Sequence, residues 1–343
     1  MFNRLLGLKS SDLGIDLGTA NTVICVREGG IVLNEPSVVA LERIDGVQRV
    51  KAIGNDAKLM MGKTPQQIDV VRPLRDGVIA DIDVAEQMIK FFIQKVLGQN
   101  NFVRRPEIVI CVPSGATSVE RRAIRDAAAN AGCSKVWLID EPMAAAIGAG
   151  LPIQDPVGSM IVDIGGGTSE IAVISLGGFA YSTSVRVGGD KMDEAIISHI
   201  RRTHNLIIGE ATAERIKAAA HLAPPSGGIE LPRLPIRGRN LASGNPVEIE
   251  VSNRQVIEAL QEPVRAIIEG VRIAFENIDS ELAADIYDHG IILTGGGALL
   301  AGLDVMIENA TGIKVTVADD PLTCVVRGTA RVLEDRSLRP VLQ

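Results

Sequence analysis

Apolar residues recur along this chain in two periods that alternate. Short apolar runs at Leu13–Ile15, Thr22–Val26, Glu107–Pro113, Val136–Ile139, Met160–Asp163, Glu170–Leu176 and Gly290–Thr294 predict strands. Amphipathic stretches stand between them. Asp83 to Leu97 puts Val84, Met88, Ile89, Phe92 and Val96 on one stripe, opens with an Asp83–Glu86 cap and stops at Gly98. Thr117 to Ala131 opens with a capping box of Thr117 and Glu120 and ends at Gly132. Ser252 to Ile278, capped by Ser252 with Gln255, is a third helical pattern, in which Pro263 predicts a kink or a junction. Strands alternating with helices imply an α/β chain. The stretch from Leu222 to Val251 differs: prolines and glycines break every helical pattern there. Short runs such as Val247-Glu248-Ile249 then predict a turn-rich β insertion.

Two of the strand predictions are versions of one another. Leu13-Gly-Ile-Asp16-Leu-Gly18-Thr19-Ala20-Asn21-Thr22 and Met160-Ile-Val-Asp163-Ile-Gly165-Gly166-Gly167-Thr168-Ser169 are each an apolar strand ending in aspartate, a glycine-threonine turn and a second apolar strand. They lie about one domain length apart, which reads as internal duplication. Glycines let such a turn bring its backbone N–H groups against a phosphate, with threonine and asparagine as further donors. An aspartate at the strand end suits a hydrated Mg²⁺, which favours carboxylate plus water. Two facing copies clamp the β- and γ-phosphates of a nucleotide. A third glycine run, Gly295-Gly296-Gly297-Ala298, follows the strand Ile291–Leu293, where a chain can pass close beneath a flat purine. There is neither a Walker loop nor a Gly-x-Gly-x-x-Gly.

Composition narrows the field. Apolar residues make up 46% and charged residues 22%, the balance of a globular protein long enough to bury its own core. The net charge of −7 and 3% aromatics argue against nucleic acid as a partner. Cys25, Cys111, Cys133 and Cys324 are scattered among apolar neighbours and read as buried thiols of a reducing compartment; the four histidines show no metal-ligand spacing. The longest uncharged runs, Ile171 to Val185 and His289 to Leu303, are too short to cross a bilayer, and the first residues lack a signal peptide's apolar core. A cytoplasmic protein is expected. Phe2, Leu5, Leu6 and Leu8 beside Arg4 and Lys9 form a short amphipathic segment suited to a membrane interface.

Asp16-Leu-Gly-Thr, Asp163-Ile-Gly-Gly-Gly-Thr and Thr294-Gly-Gly-Gly-Ala-Leu-Leu are similar to the two phosphate motifs and the adenosine motif of the actin, Hsp70 and sugar-kinase superfamily. Within it, Ile31-Val-Leu-Asn-Glu-Pro-Ser-Val-Val-Ala, Arg75-Asp-Gly-Val-Ile-Ala-Asp, Asp140-Glu-Pro-Met-Ala-Ala-Ala-Ile-Gly and Gly188-Gly-Asp-Lys-Met-Asp-Glu-Ala-Ile resemble the MreB family of bacterial actins. The resemblance runs from about Asp12 to Glu334. It implies an actin-like fold: duplicated ribonuclease-H-like domains around a nucleotide cleft, each with a smaller inserted subdomain. Domain I is expected at 1–145 plus 321–343 with its insertion at 27–76, and domain II at 146–320 with its insertion at 188–254.

The resemblance also implies roles. Gly18, Thr19, Ala20 and Asn21, and Gly165, Gly166, Gly167 and Thr168, are to bind the phosphates of ATP; Asp16 and Asp163 are to hold Mg²⁺ through water. Asp190, Ala213, Glu214, Arg215 and Lys217 are to lie along ribose and base, with Gly295, Gly296, Gly297 and Ala298 beneath the adenosine. Glu141 on its own reads as a carboxylate in a helix's first turn, ahead of Pro142 as the first helical residue. The resemblance makes it, with Thr168, the group that positions the attacking water. Phe2, Leu5, Leu6 and Leu8, together with Phe102 and Val103 beside Arg104 and Arg105, are to anchor the chain at the inner face of the cell membrane. Weak anchors repeated along a filament act by avidity. The implied protein is a slow ATPase that polymerises, in antiparallel double filaments, and organises cell-wall synthesis to keep rod shape, with partners such as RodZ, MreC and MreD. A small-molecule kinase of the same superfamily is the alternative, disfavoured by Glu141 where a kinase needs an aspartate base. An Hsp70-like chaperone is not expected, since it would need a separate peptide-binding domain. Ser169, where many relatives have threonine, keeps the hydroxyl.

Overall fold

The computed structural model describes residues 12–98, 106–223 and 232–343. The chain divides into two compact units: one runs to Asp155 and resumes at Thr323, the other is Pro156–Leu322. The amphipathic segment with Phe2, Leu5, Leu6 and Leu8, and the loop with Phe102 and Val103, lie outside the described residues.

In the first unit Leu13–Leu17 pairs antiparallel with Asn21–Val26, which pairs antiparallel with Gly30–Pro36. On its other side Leu13–Leu17 runs parallel to Glu107–Val112, and that strand parallel to Lys135–Asp140. Ile108, Val109 and Ile110 are wholly buried, as expected of a central parallel strand covered on both faces. Ile15, Ile24, Met88, Phe92, Ile110 and Leu138 share one core with helices Ile82–Leu97 and Ser118–Asn130. The capping box at Thr117 and Glu120 forms as the spacing predicts. The other cap needs correction: Asp81, in extended conformation, accepts from the N–H of Val84, and Asp83 is already inside the first turn. A separate antiparallel sheet of Val47–Ile53, Val39–Ile44 and Ile68–Val71 carries helix Asn55–Met60 and its own small core of Val38, Ala40, Ala57 and Ile68.

Helix Glu141–Ala149 stays whole in the first unit, so the division falls later than the expected 145/146. Its packing explains why. A Cβ on Gly148 would lie 1.7 Å from the carbonyl oxygen of Cys324, and one on Gly328 would lie 1.8 Å from that of Ala144. The two glycines let helix Glu141–Ala149 and helix Cys324–Glu334 meet backbone to backbone, locking the returning chain to the first unit.

The second unit repeats the plan. Ser159–Ile164 pairs antiparallel with Ser169–Ser175, and that with Gly178–Val185; on the other side come Ile291–Thr294 and Val315–Val317, both parallel. Met160, Val162, Ile171, Val173, Ile267, Ile291 and Leu293 form its core. Helix Asn253–Glu276 starts with the Ser252–Gln255 capping box and continues unbroken through Pro263, which is buried, so no junction forms there. The missing N–H of proline costs one hydrogen bond, and the packed apolar face of the helix outweighs it. Leu206–Ile207, Leu234–Asn240 and Pro246–Val251 make a three-stranded antiparallel sheet beyond the main one. Residues 224–231 of the proline-rich stretch lie outside the described residues. Among the described residues, no helix is long and apolar enough to cross a membrane.

Candidate functional site

The first turn, Gly18 to Ala20, joins the strands Leu13–Leu17 and Asn21–Val26. Ser37, just past Gly30–Pro36, braces it from the side. Its hydroxyl donates to the Gly18 carbonyl at 2.6 Å, its N–H donates to the Ala20 carbonyl at 3.0 Å, and its Oγ also meets Thr22 Oγ1 at 2.9 Å. Because a peptide unit is planar and trans, a Gly18 carbonyl aimed at Ser37 turns the N–H of Thr19 the opposite way. Asn21 donates to Asn34 Oδ1 at 3.2 Å. Ser37 stood in a phrase that carried the family resemblance, yet no role attached to it; its function is visible only once the third strand returns beside the turn.

The second turn is braced by backbone instead. Gly165 N–H donates to the Thr168 carbonyl at 2.9 Å, closing the turn. Helix Gly189–His204 then points its first N–H groups at it: Gly189 N donates to Gly165 O at 3.0 Å and Asp190 N to Gly166 O at 2.8 Å. These are N–H groups that a helix start leaves without intrahelical partners. With both carbonyls taken, the N–H groups of Gly166 and Gly167 face away from the helix. Ser169 keeps its hydroxyl occupied on the Val187 carbonyl at 2.6 Å.

Each turn follows a strand-end aspartate, and each aspartate is met from the neighbouring parallel strand. Cys111 Sγ donates to Asp16 Oδ1 at 3.2 Å, and Thr294 Oγ1 donates to Asp163 Oδ1 at 3.0 Å. Asp163 is almost fully buried and Thr294 entirely so. Asp16 keeps a partly open face, yet the surrounding protein desolvates it and raises its carboxyl from 3.8 to about 6, against the opposing pull of the Cys111 hydrogen bond. Burial pushes the Cys111 thiol well above its usual range, and the negative charges of Asp16 and Glu141 push the same way. Asp16, Cys111 and Glu141 therefore form one electrostatic group. Glu141 itself is the first residue of its helix and Pro142 the second, one position later than expected.

Among the described residues there is no group of three or more His, Cys, Asp and Glu side chains that could cage a metal. Single carboxylates, hard oxygen donors beside backbone N–H groups, instead fit a cation that keeps most of its waters.

The second unit also gathers charged groups. Lys217 donates to the Gly189 carbonyl at 2.9 Å and to Asp193 Oδ2 at 2.8 Å, so it ties helix Glu210–Ala218 to the start of helix Gly189–His204. Asp193, which sequence reasoning passed over, is pushed up to about 6, first by burial, with Lys217 opposing and Glu214 and Asp190 adding to the rise. Asp190, Glu214 and Lys217 are thus brought together. Ala213 is buried in the core, and Arg215 reaches away to the Pro235 carbonyl at 3.3 Å. Gly295 has φ +79°, and a Cβ there would lie 2.5 Å from Asp163 Oδ1 and 2.4 Å from the Ile164 carbonyl. Only glycine fits beside that carboxylate. Gly296–Leu299 forms a short 3₁₀ turn with Ala298 buried.

Comparison with known proteins identifies the family of the chain. The family described as MreB/Mbl protein matches residues 10–339. The chain is 54% identical over 337 residues to the cell shape-determining protein MreB of Escherichia coli, covering 97% of this chain and 96% of that one. It is 47% identical over 329 residues to the cell shape-determining protein Mbl of Bacillus subtilis, covering 96% and 97%. Among solved structures, MreB5 of Spiroplasma citri bound to ADP superposes with a TM-score of 0.89 at 34% identity, covering 97% of this chain and 98% of that one. A MamK double helical filament, at 23% identity and a TM-score of 0.78 over 94% of this chain and 98% of that one, shares the fold. Duplicated sheets, paired aspartate turns and similarity along nearly the whole length lead to one assignment: the chain belongs to the MreB/Mbl family and has its actin-like fold.

Proposed function

We propose that this protein is a cytoskeletal ATPase that assembles into filaments on the inner face of the cell membrane and determines cell shape. The observation that carries this reading is the pair of turns, one in each unit, whose carbonyls are tied back so that Thr19, Gly166 and Gly167 turn their N–H groups outward beside a strand-end aspartate. Relatives named for determining cell shape, and MreB5 structures bound to AMPPNP and to ADP, support the same reading. In it the two turns bind the phosphates of ATP, and Asp16 and Asp163 orient water around Mg²⁺. When bound, Mg²⁺ neutralises charge on the phosphates. Glu141 accepts a hydrogen bond from the attacking water and, with Thr168, aims it at the γ-phosphoryl group. Lys217, held by Asp193, sets the edge along which the ribose lies. Phe2, Leu5, Leu6, Leu8, Phe102 and Val103 supply weak membrane anchors that act together along a filament.

The test uses the full chain with ATP on anionic vesicles, reading sedimentation and phosphate release. Glu141→Ala is expected to pellet with ATP while releasing phosphate about a hundredfold more slowly. Deleting residues 1–9 is expected to remove most vesicle binding and leave phosphate release in place. Failure to sediment with ATP, together with transfer of phosphate to a small acceptor, overturns the reading in favour of a kinase.

A further inference from the structure

The two strand-end aspartates are not simply placed at the ends of their strands; each is gripped, and by the same means. In the first unit the parallel register sets Ile15 against Ile110, so the next residues, Asp16 and Cys111, stand side by side. In the second unit Asp163 and Thr294 are register partners across the parallel pair. The donor comes from a residue 95 positions away in one case and 131 in the other, and in both it reaches Oδ1 of the aspartate. A carboxylate with one oxygen tied to the neighbouring strand has its plane fixed, and with it the place of its second oxygen. A side chain left to rotate about χ1 and χ2 has to be ordered each time water and a cation bind it.

We propose that Thr294 and Cys111 are positioning residues for Mg²⁺-linked nucleotide binding: each pins the carboxylate of its strand-end aspartate from the adjacent parallel strand. This rests on the reading of Asp16 and Asp163 given above. The two grips are unequal. A hydroxyl is a stronger donor than a thiol, and Thr294 is wholly buried, with Gly295 closing over Asp163. Thr294 therefore carries more of the effect than Cys111. Neither residue touches nucleotide in this scheme; each acts through the aspartate it holds.

The experiment measures equilibrium binding of a fluorescent ATP analogue to the full chain, titrated with Mg²⁺ and repeated in EDTA. Thr294→Val has nearly the same volume and lacks the donor. It is expected to need about tenfold more Mg²⁺ to reach half of the metal-dependent gain in affinity, with affinity in EDTA unchanged. Thr294→Ser restores the donor and is expected to restore the wild-type midpoint. Cys111→Ala is expected to shift the midpoint less than Thr294→Val does, and Cys111→Ser to return it. If Thr294→Val and Cys111→Ala titrate like wild type, or weaken binding equally in Mg²⁺ and in EDTA, the positioning role is overturned while the metal reading stands. A wild type whose affinity ignores Mg²⁺ overturns the metal reading, and this inference with it.

Discussion

The two strand-turn-strand halves share a scaffold and differ in how the turn is held. Both sheets run in the same order, three antiparallel strands and then two parallel ones, and both put an aspartate at the end of the central strand. In the first half a single residue, Ser37, holds the turn by its side-chain hydroxyl and its backbone N–H. In the second, the first N–H groups of a helix hold it. The lesson is about which residues each half tolerates. A turn braced by a side chain holds Thr19 and Ala20 within it, whereas the turn pressed against backbone needs glycine in the chain that meets it: a Cβ on Gly188 would lie 2.6 Å from the Gly166 carbonyl. The same carbonyl-tying geometry is thus reached by two routes.

Packing of glycines offers the hardest way to break the parallel between the units. Gly148 in the first unit meets the Cys324 carbonyl, which cannot move without its helix; Gly270 in the second meets only the ends of Ile171 and Val185, at 2.6 Å and 2.8 Å. Gly148→Ala is expected to destabilise the protein by about 4 kcal/mol or to abolish folding, and Gly270→Ala by about 1 kcal/mol. Thermal unfolding of both variants checks this, and equal losses would refute the distinction.

Next in size come the turns. Gly295→Ala forces a side chain into a left-handed backbone beside Asp163 and is expected to weaken ATP binding about a hundredfold, close to 2.7 kcal/mol. Ser37→Ala removes one donor from the first turn and is expected to cost about fivefold, near 1 kcal/mol. Titration calorimetry with a non-hydrolysable ATP analogue ranks the two.

An effect of the same size as that of Ser37→Ala is expected on pH dependence. Asp16 in the first unit and Asp193 in the second are both raised by burial from 3.8 to about 6. The folded protein therefore binds these protons more tightly than the unfolded chain. Their contribution to stability is fully present below 3.8 and is lost as pH rises through 6. Between pH 5 and 7 each is expected to cost about 1 kcal/mol. Asp193→Asn, which keeps an acceptor for Lys217, is expected to remove its share of that slope and leave the share of Asp16. Melting temperatures across this range without nucleotide decide it; an unchanged slope in Asp193→Asn would show that its carboxyl is ionised throughout.

The features that could be read in advance are those settled by neighbours in sequence. Thr117 with Glu120 and Ser252 with Gln255 cap their helices because three residues span one turn, and the strand-aspartate-glycine phrase forms its hairpin from residues in one stretch. Asp81 and Asp83, two residues apart, offer the same capping chemistry, and backbone angles alone choose Asp81. At Pro263 the sequence allows a kink or a junction, and the junction is ruled out only by the burial that carries the helix past the proline, a property of what packs on it. The remaining features required distant segments to meet. Nothing near Asp16 in the chain announces Cys111, nothing near Asp163 announces Thr294, and neither Ser37 nor Asp193 has a local mark of its role. Hydrogen bonds act over about 3 Å, so partners far apart in the chain are chosen by strand register and helix placement. Local letters therefore decided which turns exist, and the assembled sheets decided which side chains hold them.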